Sequence, residues 1–146
     1  MTVLKHTGDF AWEHVNLLKY KEEGTHFKSV TRQILFGGSK NLPGELRYFE
    51  IAPGGHSTLE RHEHLHVVII IRGNGMALVG TDVVSLDLFD VVHIPSRTWH
   101  QFQATAEEPL GFLCLVNTDR DRPERPGKAD LNEMKKTPAV AQFIKR

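Results

Sequence analysis

The sequence predicts one all-β domain, a sandwich or a barrel, followed by a short helical tail. Short runs rich in Val, Ile, Thr and Phe follow one another through the middle of the chain, which is the composition of β-strands. Turn-forming residues separate these runs. The chain has 146 residues, of which 40% are hydrophobic and 25% are charged, so its length and composition fit one soluble domain with a sizeable core.

The predicted barrel, residues 27–117, follows an N-terminal arm, residues 1–26. The arm is mixed and polar and has no clear periodicity. Gly37-Gly38 and Pro53-Gly54-Gly55 are predicted to end the first two strands. The predicted strands are residues 27–36, 46–52, 57–66 with the continuation 67–71, 76–79, 83–88, 91–94, 100–104 and 110–116.

The composition changes after Asn117, and residues 118–146 are expected to form a linker and two short helices packed on the barrel. Residues 119–125 are charged and contain proline, so they are interpreted as a linker over the surface. Residues 129–136 and 138–145 are each predicted to form a helix, and Pro138 suits the first helical position of the second. Apolar side chains on one face of that helix would pack it down, which indicates a docked tail and not a second domain.

Charge and cysteine content exclude several classes of function. The formal net charge is zero with histidine neutral, so the basic surface typical of nucleic-acid binding is absent. Cys114 is the single cysteine, which excludes an internal disulfide and a cysteine-based zinc cluster, and we expect it to be a small buried residue. No apolar stretch near the N-terminus has signal-peptide length, and the longest aliphatic run, residues 67–71, is too short to cross a bilayer. We therefore expect a cytoplasmic protein without membrane contact.

A histidine-rich stretch indicates a metal site. Glu60, His62, His64 and His66 alternate along the chain, so on an extended strand they would project from one face. His100, after a later strand-like run, is a further candidate. Neutral imidazoles and one carboxylate are typical ligands of a divalent transition metal. The alternative is a solvated strand face, which predicts an apolar opposite face, and here that face is only half apolar. It consists of Leu59, Arg61, Glu63 and Leu65.

Two segments resemble the sequence motifs of the cupins. The first is Pro53-Gly54-Gly55 followed by the spacing Glu60-x-His62-x-x-x-His66 and, after six more residues, Gly73. The second is Asp90-Val91-Val92-His93-Ile94-Pro95-Ser96-Arg97-Thr98-Trp99-His100. Cupins usually have glycine where this chain has Phe89 and Arg97. The resemblance covers about residues 46–116. It implies a double-stranded β-helix, a jelly-roll barrel with a metal inside one mouth.

The resemblance allows two registers for the metal ligands. With Gly73 as the anchor, the ligands implied are Glu60, His62, His66 and His100. In this register His64 lies in the bend between strands, where it would face solvent or support the ligands. With Gly75 as the anchor, His62 and His64 form the pair and Val68 takes the place of the usual acid, which loses a ligand. The first register is preferred because it supplies four donors.

The ligand set implies one divalent ion of Fe, Mn, Ni, Cu or Zn, because three nitrogens and one oxygen suit each of them. An octahedral ion with four protein ligands keeps two open positions for a small organic substrate. We therefore expect a metal-dependent enzyme, either a dioxygenase or a redox-neutral isomerase or cyclase, with His64 or His93 as the candidate base. The alternative is a small-molecule binding or sensing module with a structural metal.

Two further expectations concern partners. Arg47, on a strand that could face the cavity, either pairs with an anionic substrate or lies at the surface. The run of residues 67–71 is apolar on both faces, which indicates burial beyond one barrel wall. Since cupins commonly dimerise by packing or exchanging strands, the resemblance implies a homodimer.

Overall fold

The structure, a computed structural model, describes residues 3–19 and 28–146. Part of the predicted arm and Phe27, the predicted start of the first barrel strand, lie outside the described residues. Within the described ranges the chain forms eleven strands and two helices. The strands are β1 His6–Gly8, β2 Ala11–Trp12, β3 Leu18–Lys19, β4 Lys28–Phe36, β5 Gly44–His56, β6 His66–Arg72, β7 Gly75–Val79, β8 Asp82–Leu86, β9 Val91–Ile94, β10 His100–Ala104 and β11 Leu110–Asn117. The helices are α1 Lys128–Met134 and α2 Pro138–Phe143.

The main sheet is antiparallel and curls into the predicted jelly-roll barrel. Its strand order is β8-β7-β10-β5-β11-β6-β9, and β4 pairs with β5 and with β3 outside this path. The arm contributes a small hairpin, in which β1 pairs with β2. The prediction of an all-β barrel with a short helical tail is therefore confirmed.

The inside of the curled sheet changes from apolar to polar along its length. β11 lies between β5 and β6, so three inward side chains stand side by side in each row. Phe112 pairs with Phe49 and Ile70, and the rows at that end form the apolar core. One row further, Cys114 pairs with Arg47 and Val68. Polar groups therefore enter the barrel at one end, and this end carries the candidate site.

Two predicted strand boundaries differ from the structure. β5 continues through Pro53-Gly54-Gly55 to His56, where a turn was predicted. Gly54 has a φ of 73° and its N–H donates to Thr105 O at 2.7 Å, so the strand bends there without ending. The prediction of a strand over residues 57–66 is wrong, because most of this segment is a loop. It is connected to the barrel by isolated bridges, and β6 begins only at His66.

The tail packs on the barrel, and its two helices are slightly shorter than predicted. Pro138 occupies the first turn of α2, after the N-cap Thr137. Val140 and Phe143 are buried in a second apolar cluster with Leu59 and Leu78 of the barrel. The buried Gln101 amide fixes the chain end, because it donates to Lys145 O and accepts from Lys145 N–H, both at 2.9 Å. The residue after His100 thus connects the tail to the site.

Two turns carry backbone strain at positions where cupins usually have glycine. Phe89 has a φ of 71° and Arg97 a φ of 59°, both in the left-handed region that side chains with a Cβ disfavour. The Phe89 side chain is 73% exposed, so packing does not compensate for its strain. Arg97 ion-pairs with Glu124 and Glu63, so this side chain has partners of its own.

We expect the substitution Phe89→Gly to stabilise the protein. Glycine relieves the left-handed strain and loses little packing, so the free energy of unfolding should rise by about 0.5–1 kcal/mol. In a chain of this length that corresponds to a rise in Tm of roughly 2–4 °C, measurable by calorimetry. Leu88→Gly, at a neighbouring residue without a positive φ, is the control and should lower Tm. An equal loss of stability in both variants would contradict the strain at Phe89.

Candidate metal centre

Three buried histidines come together at the polar end of the barrel. His62 lies in the loop before β6, His66 is the first residue of β6, and His100 is the first residue of β10. One ring nitrogen of each lies within 4.8 Å of the others. The three residues are 2%, 9% and 3% exposed, respectively. They are therefore positioned to bind a metal ion away from bulk water.

Neighbouring groups hold the ring orientations. His62 Nδ1 donates to His64 O at 2.5 Å, and His100 Nδ1 donates to Thr98 O at 2.9 Å. Because a carbonyl oxygen only accepts, each Nδ1 carries the proton and each Nε2 keeps its lone pair. His66 Nδ1 lies 3.2 Å from Cys114 Sγ, and its Nε2 is buried without a hydrogen-bond partner. A buried, unpartnered Nε2 fits a metal ligand, since the ion supplies the missing partner.

Burial lowers the pKa of all three imidazoles. Desolvation is the largest cause in each case, and it brings the pKa of His100 to about 4. The pKa of His66 is lowered further, because charges on His100 and His62 would repel a charge on its ring. The pKa of His62 is lowered by the same desolvation. All three rings are therefore neutral at pH 7, which is the form that binds a metal ion.

Glu60 lies beside this group but is not part of its closest set. Glu60 and His100 form an isolated antiparallel bridge, and Glu60 Oε1 is 4.0 Å from His100 Nε2. Burial raises the pKa of Glu60 to about 7, while the positive charge of Arg47 acts in the opposite direction. A divalent cation would favour the ionised carboxylate. Glu60 thus remains a proposed fourth ligand.

His64 packs directly on the centre and is held from the other side. Its ring stacks on His62 with 3.6 Å between centroids. Its Nδ1 lies 2.7 Å from Asp121 Oδ1. The Asp121 carboxylate also accepts from the N–H groups of Glu63 and His64, and these bonds lower its pKa. His64 is therefore an oriented histidine beside the predicted ligands.

The structure does not bring His93 to this group. β9 pairs with β6 so that His66 is opposite Ile94 and Val67 is opposite His93. Since side chains alternate along a strand, His66 and Ile94 point inward, while Val67 and His93 point to the outer face. His93 is accordingly exposed. The expectation that His93 could line the pocket and act as a base is not supported by this placement.

A cavity of about 210 Å³ opens beside the three histidines. Sequence reasoning did not assign Arg32, Cys114, Arg120 or Asp121 to this site, yet all four line the cavity. Arg47 lines it too, so the interpretation of Arg47 as a surface residue is wrong. Cys114 is buried as predicted. Its thiol is part of the cavity wall and contacts His66.

Residues 118–124 pass along the wall of this cavity, where a surface linker was predicted. We call this segment the strap. It places Arg120, Asp121 and Pro123 on the cavity wall. The Arg61 side chain donates to Glu124 at 3.1 Å, and the two backbones pair as an isolated bridge. Arg97 also donates to Glu124. The strap is therefore fixed to the barrel by these ion pairs, by the backbone bridge and by the bonds that Asp121 accepts.

Known proteins resemble this chain over nearly its whole length. The cupin domain family matches residues 47–116. The chain is 55% identical over 136 residues to the 1-methylthio-D-xylulose 5-phosphate methylsulfurylase of Rhodospirillum rubrum, covering 92% of this chain and 86% of that protein. The chain belongs to the cupin superfamily. A cupin-2 domain from Rhodospirillum rubrum has a TM-score of 0.88 and 54% identity, covering 93% of this chain and 91% of that one. A cupin 2 conserved barrel protein from Rhodopseudomonas palustris has a TM-score of 0.94 and 44% identity, covering 99% and 100%.

The geometry favours one of the two cupin registers. Gly73 and Gly75 both sit where a Cβ would collide with backbone oxygens, so glycine at either position does not distinguish the registers. The histidine group does, because it contains His66, which only the Gly73 register uses. Val68, the residue that the other register would use, is buried in the apolar core of this cupin.

Neither helix in the described part of the chain has the length and apolar character needed to span a membrane.

We expect His66→Ala and His100→Ala to lose the metal ion. Each variant removes one of three clustered nitrogens, so metal content after purification should fall well below that of the wild type. Tm measured with the wild-type metal added should fall as well, because binding to the folded state stabilises it. The matched control is His93→Ala, which removes an exposed imidazole. Full metal content in both cluster variants would contradict this ligand set, and content can be measured by inductively coupled plasma mass spectrometry.

Proposed function

We propose that this cupin is a metal-dependent enzyme acting on a methylthio-substituted ketose phosphate, the class of compound named for its Rhodospirillum rubrum relative. The observation that carries the proposal is the composition of one cavity. Three neutral imidazoles, a carboxyl group and a thiol all face it. Identity of 55% over 92% of the chain supports a shared substrate class. This favours chemistry at a carbon–sulfur bond, a reaction type that the sequence did not indicate, over the expected dioxygenase reaction.

His62, His66 and His100 would hold the divalent ion, with Glu60 as the proposed fourth ligand. Their donor set fits, since three lone pairs converge and His66 Nε2 has no other partner. A bound ion supplies Lewis-acid polarisation of a carbonyl oxygen. The protein itself excludes water and keeps the rings fixed through the His64 and Thr98 carbonyls.

His64 is proposed to hold or move a proton next to the substrate carbonyl. With Nδ1 donating to Asp121, its Nε2 carries the lone pair that can accept a proton. Asp121 fixes the ring orientation and would stabilise the charged imidazolium. The stacking of His64 on His62 sets the distance between this base and the metal ligands.

Cys114 is proposed to contact the sulfur end of the substrate. Its Sγ lies 3.2 Å from His66 Nδ1 and 3.3 Å from Arg47 Nη2, so it stands between the centre and a cation. Burial raises the pKa of the thiol, and the charge of Arg47 opposes this effect. A thiol is both polarisable and nucleophilic, properties that suit a site for a sulfur-containing substrate.

The test is turnover of 1-methylthio-D-xylulose 5-phosphate by the metal-loaded protein in the presence of an excess of a small thiol, which would accept the methylthio group, followed by NMR of substrate and products. We expect turnover by the wild type and a fall in kcat of at least about 100-fold in Cys114→Ser and His64→Gln, the scale of a lost catalytic group. His14→Gln, at an exposed residue, is the control. Metal content of each variant should match the wild type.

Two other outcomes would overturn the proposal in favour of the sequence-based alternatives. Oxygen uptake with enediol substrates, and no turnover of the methylthio ketose, would indicate a dioxygenase. Tight binding of the ketose without any product would indicate a binding or sensing module with a structural metal.

We also propose a homodimer built on the outer face of the sheet. The row Phe36, Leu46, Leu115 and Val67 runs across four paired strands. Phe36, Leu115 and Val67 are 39%, 51% and 37% exposed, and no charged residue interrupts the row. A second copy would cover the same row, because a twofold interface pairs one patch with itself. Val67 is the member of this row that belongs to the predicted run of residues 67–71, and it is 37% exposed.

Leu115→Glu and Val67→Glu are expected to convert the dimer to a monomer. Each buries a carboxylate in the proposed interface, which costs several kcal/mol when unpaired. Light scattering coupled to size-exclusion chromatography measures the mass. Val84→Glu, at an apolar residue of β8 that is also exposed, is the control. A wild-type protein with the mass of a monomer would contradict this proposal.

A further inference from the structure

We propose that Arg32, Arg47 and Arg120 form an anion subsite that takes a phosphomonoester group. The identity of the whole substrate rests on the proposed function, whereas the subsite itself rests on the arginines. All three line the same cavity as the histidine group. They come from β4, β5 and the strap, so the fold brings together cations that are distant in sequence.

The Arg47 side chain is more buried than the Arg120 side chain. Its side chain is 11% exposed. Its guanidinium lies 4.8 Å from the Phe49 ring centroid, and its Nη2 donates to Cys114 Sγ at 3.3 Å. Its Nε is buried and has no hydrogen-bond partner, although it lies 3.5 Å from Glu45 Oε1. A buried, oriented guanidinium with an unused donor is suited to receive an acceptor oxygen from a ligand.

Arg120 shares a single carboxylate with Arg47. Its Nη1 donates to Asn117 O at 2.8 Å, and its Nη2 lies 3.4 Å from Glu45 Oε1. The same Glu45 oxygen is the one that faces Arg47 Nε. One carboxylate therefore faces two cations, which leaves positive charge for a ligand to neutralise. Phosphate oxygens match guanidinium N–H groups in geometry and charge.

Both carboxyl groups that line the cavity have partners at its histidine side. Asp121 accepts from His64 Nδ1 and from two backbone N–H groups. Glu60 is the proposed metal ligand, and its Oε1 lies 4.0 Å from His100 Nε2, although Arg47 is near enough for its charge to lower the pKa that burial raises. The arginine side of the cavity therefore carries positive charge, and burial strengthens its field relative to water.

The subsite lies one side chain away from the metal centre. Arg47 contacts Cys114 at 3.3 Å, and Cys114 contacts His66 at 3.2 Å. A short substrate with a phosphate at one end would reach the Cys114 thiol and the three histidines with its other end. The arginines would therefore select substrates by both charge and length.

The test uses the full metal-loaded protein with inorganic phosphate as the probe, titrated by calorimetry. We expect phosphate to bind the wild type and Arg120→Gln to weaken the affinity about tenfold or more, as expected for a charge-assisted contact. Glu45→Gln should tighten binding, because it removes the competing carboxylate. Arg47→Lys, which keeps the charge but loses the planar fork, provides a second variant that is less prone to misfold than a neutral one. Arg122→Gln, at an exposed neighbour, is the control.

The outcomes separate the subsite from the proposed function. Equal phosphate affinity in the wild type, Arg120→Gln and Arg47→Lys, or no binding by the wild type, would overturn the subsite. If phosphate binding follows the arginines but the methylthio ketose is not turned over, the subsite stands and the proposed function fails. If the ketose is turned over with unchanged kcat/KM in Arg120→Gln, the function stands and the subsite fails.

Discussion

The site depends on three imidazoles being buried in their neutral form with one nitrogen of each ring free. A barrel interior is usually filled by apolar side chains, and an unsatisfied buried polar group costs about 1–3 kcal/mol. The protein limits this cost by giving Nδ1 of His62 and His100 a carbonyl partner only two residues away in the chain. These bonds leave the Nε2 lone pair of both rings free, and one ring nitrogen of each of the three histidines lies within 4.8 Å of the others, where a cation would provide the missing partner. The local loop conformations therefore set both ring orientation and ligand chemistry.

The apolar core and the site are built on the same strands, because the inward side chains of β5, β11 and β6 contribute to both. Along β11, the inward residues Leu110, Phe112, Cys114 and Val116 all belong to the apolar core, and Cys114 also lines the cavity of the site. β5 changes from Ile51 and Phe49 to Arg47. Because each strand crosses both regions, a change of strand register would disturb packing and site together. This coupling explains how a small domain positions a buried polar cluster without a second domain.

The sequence allowed the strands and the family to be predicted, because alternation and turn residues are local signals. It also identified His62, His66 and His100 as ligand candidates, but the single strand face predicted for His62 and His66 does not exist, since residues 57–65 do not form one strand. Their convergence comes from the bridge between Glu60 and His100 and from the pairing of separate strands, which alternation does not encode. Arg120 and Asp121 were missed because a charged, proline-containing stretch is typical of a surface linker. Only the return of the chain across the cavity gives these residues a role.

The strap has a consequence for how small molecules reach the cavity. Its attachment through Glu124 to Arg61 and Arg97 is solvent-exposed, with side chains 25% to 46% accessible. Ion pairs of this kind are weakened as ionic strength rises, whereas the buried histidine group is screened far less. Added salt would thus weaken these side-chain contacts, while the backbone bridge between Arg61 and Glu124 and the bonds to Asp121 keep the strap in place. Anionic ligands would then enter more slowly with salt, because the attraction of the arginines becomes weaker.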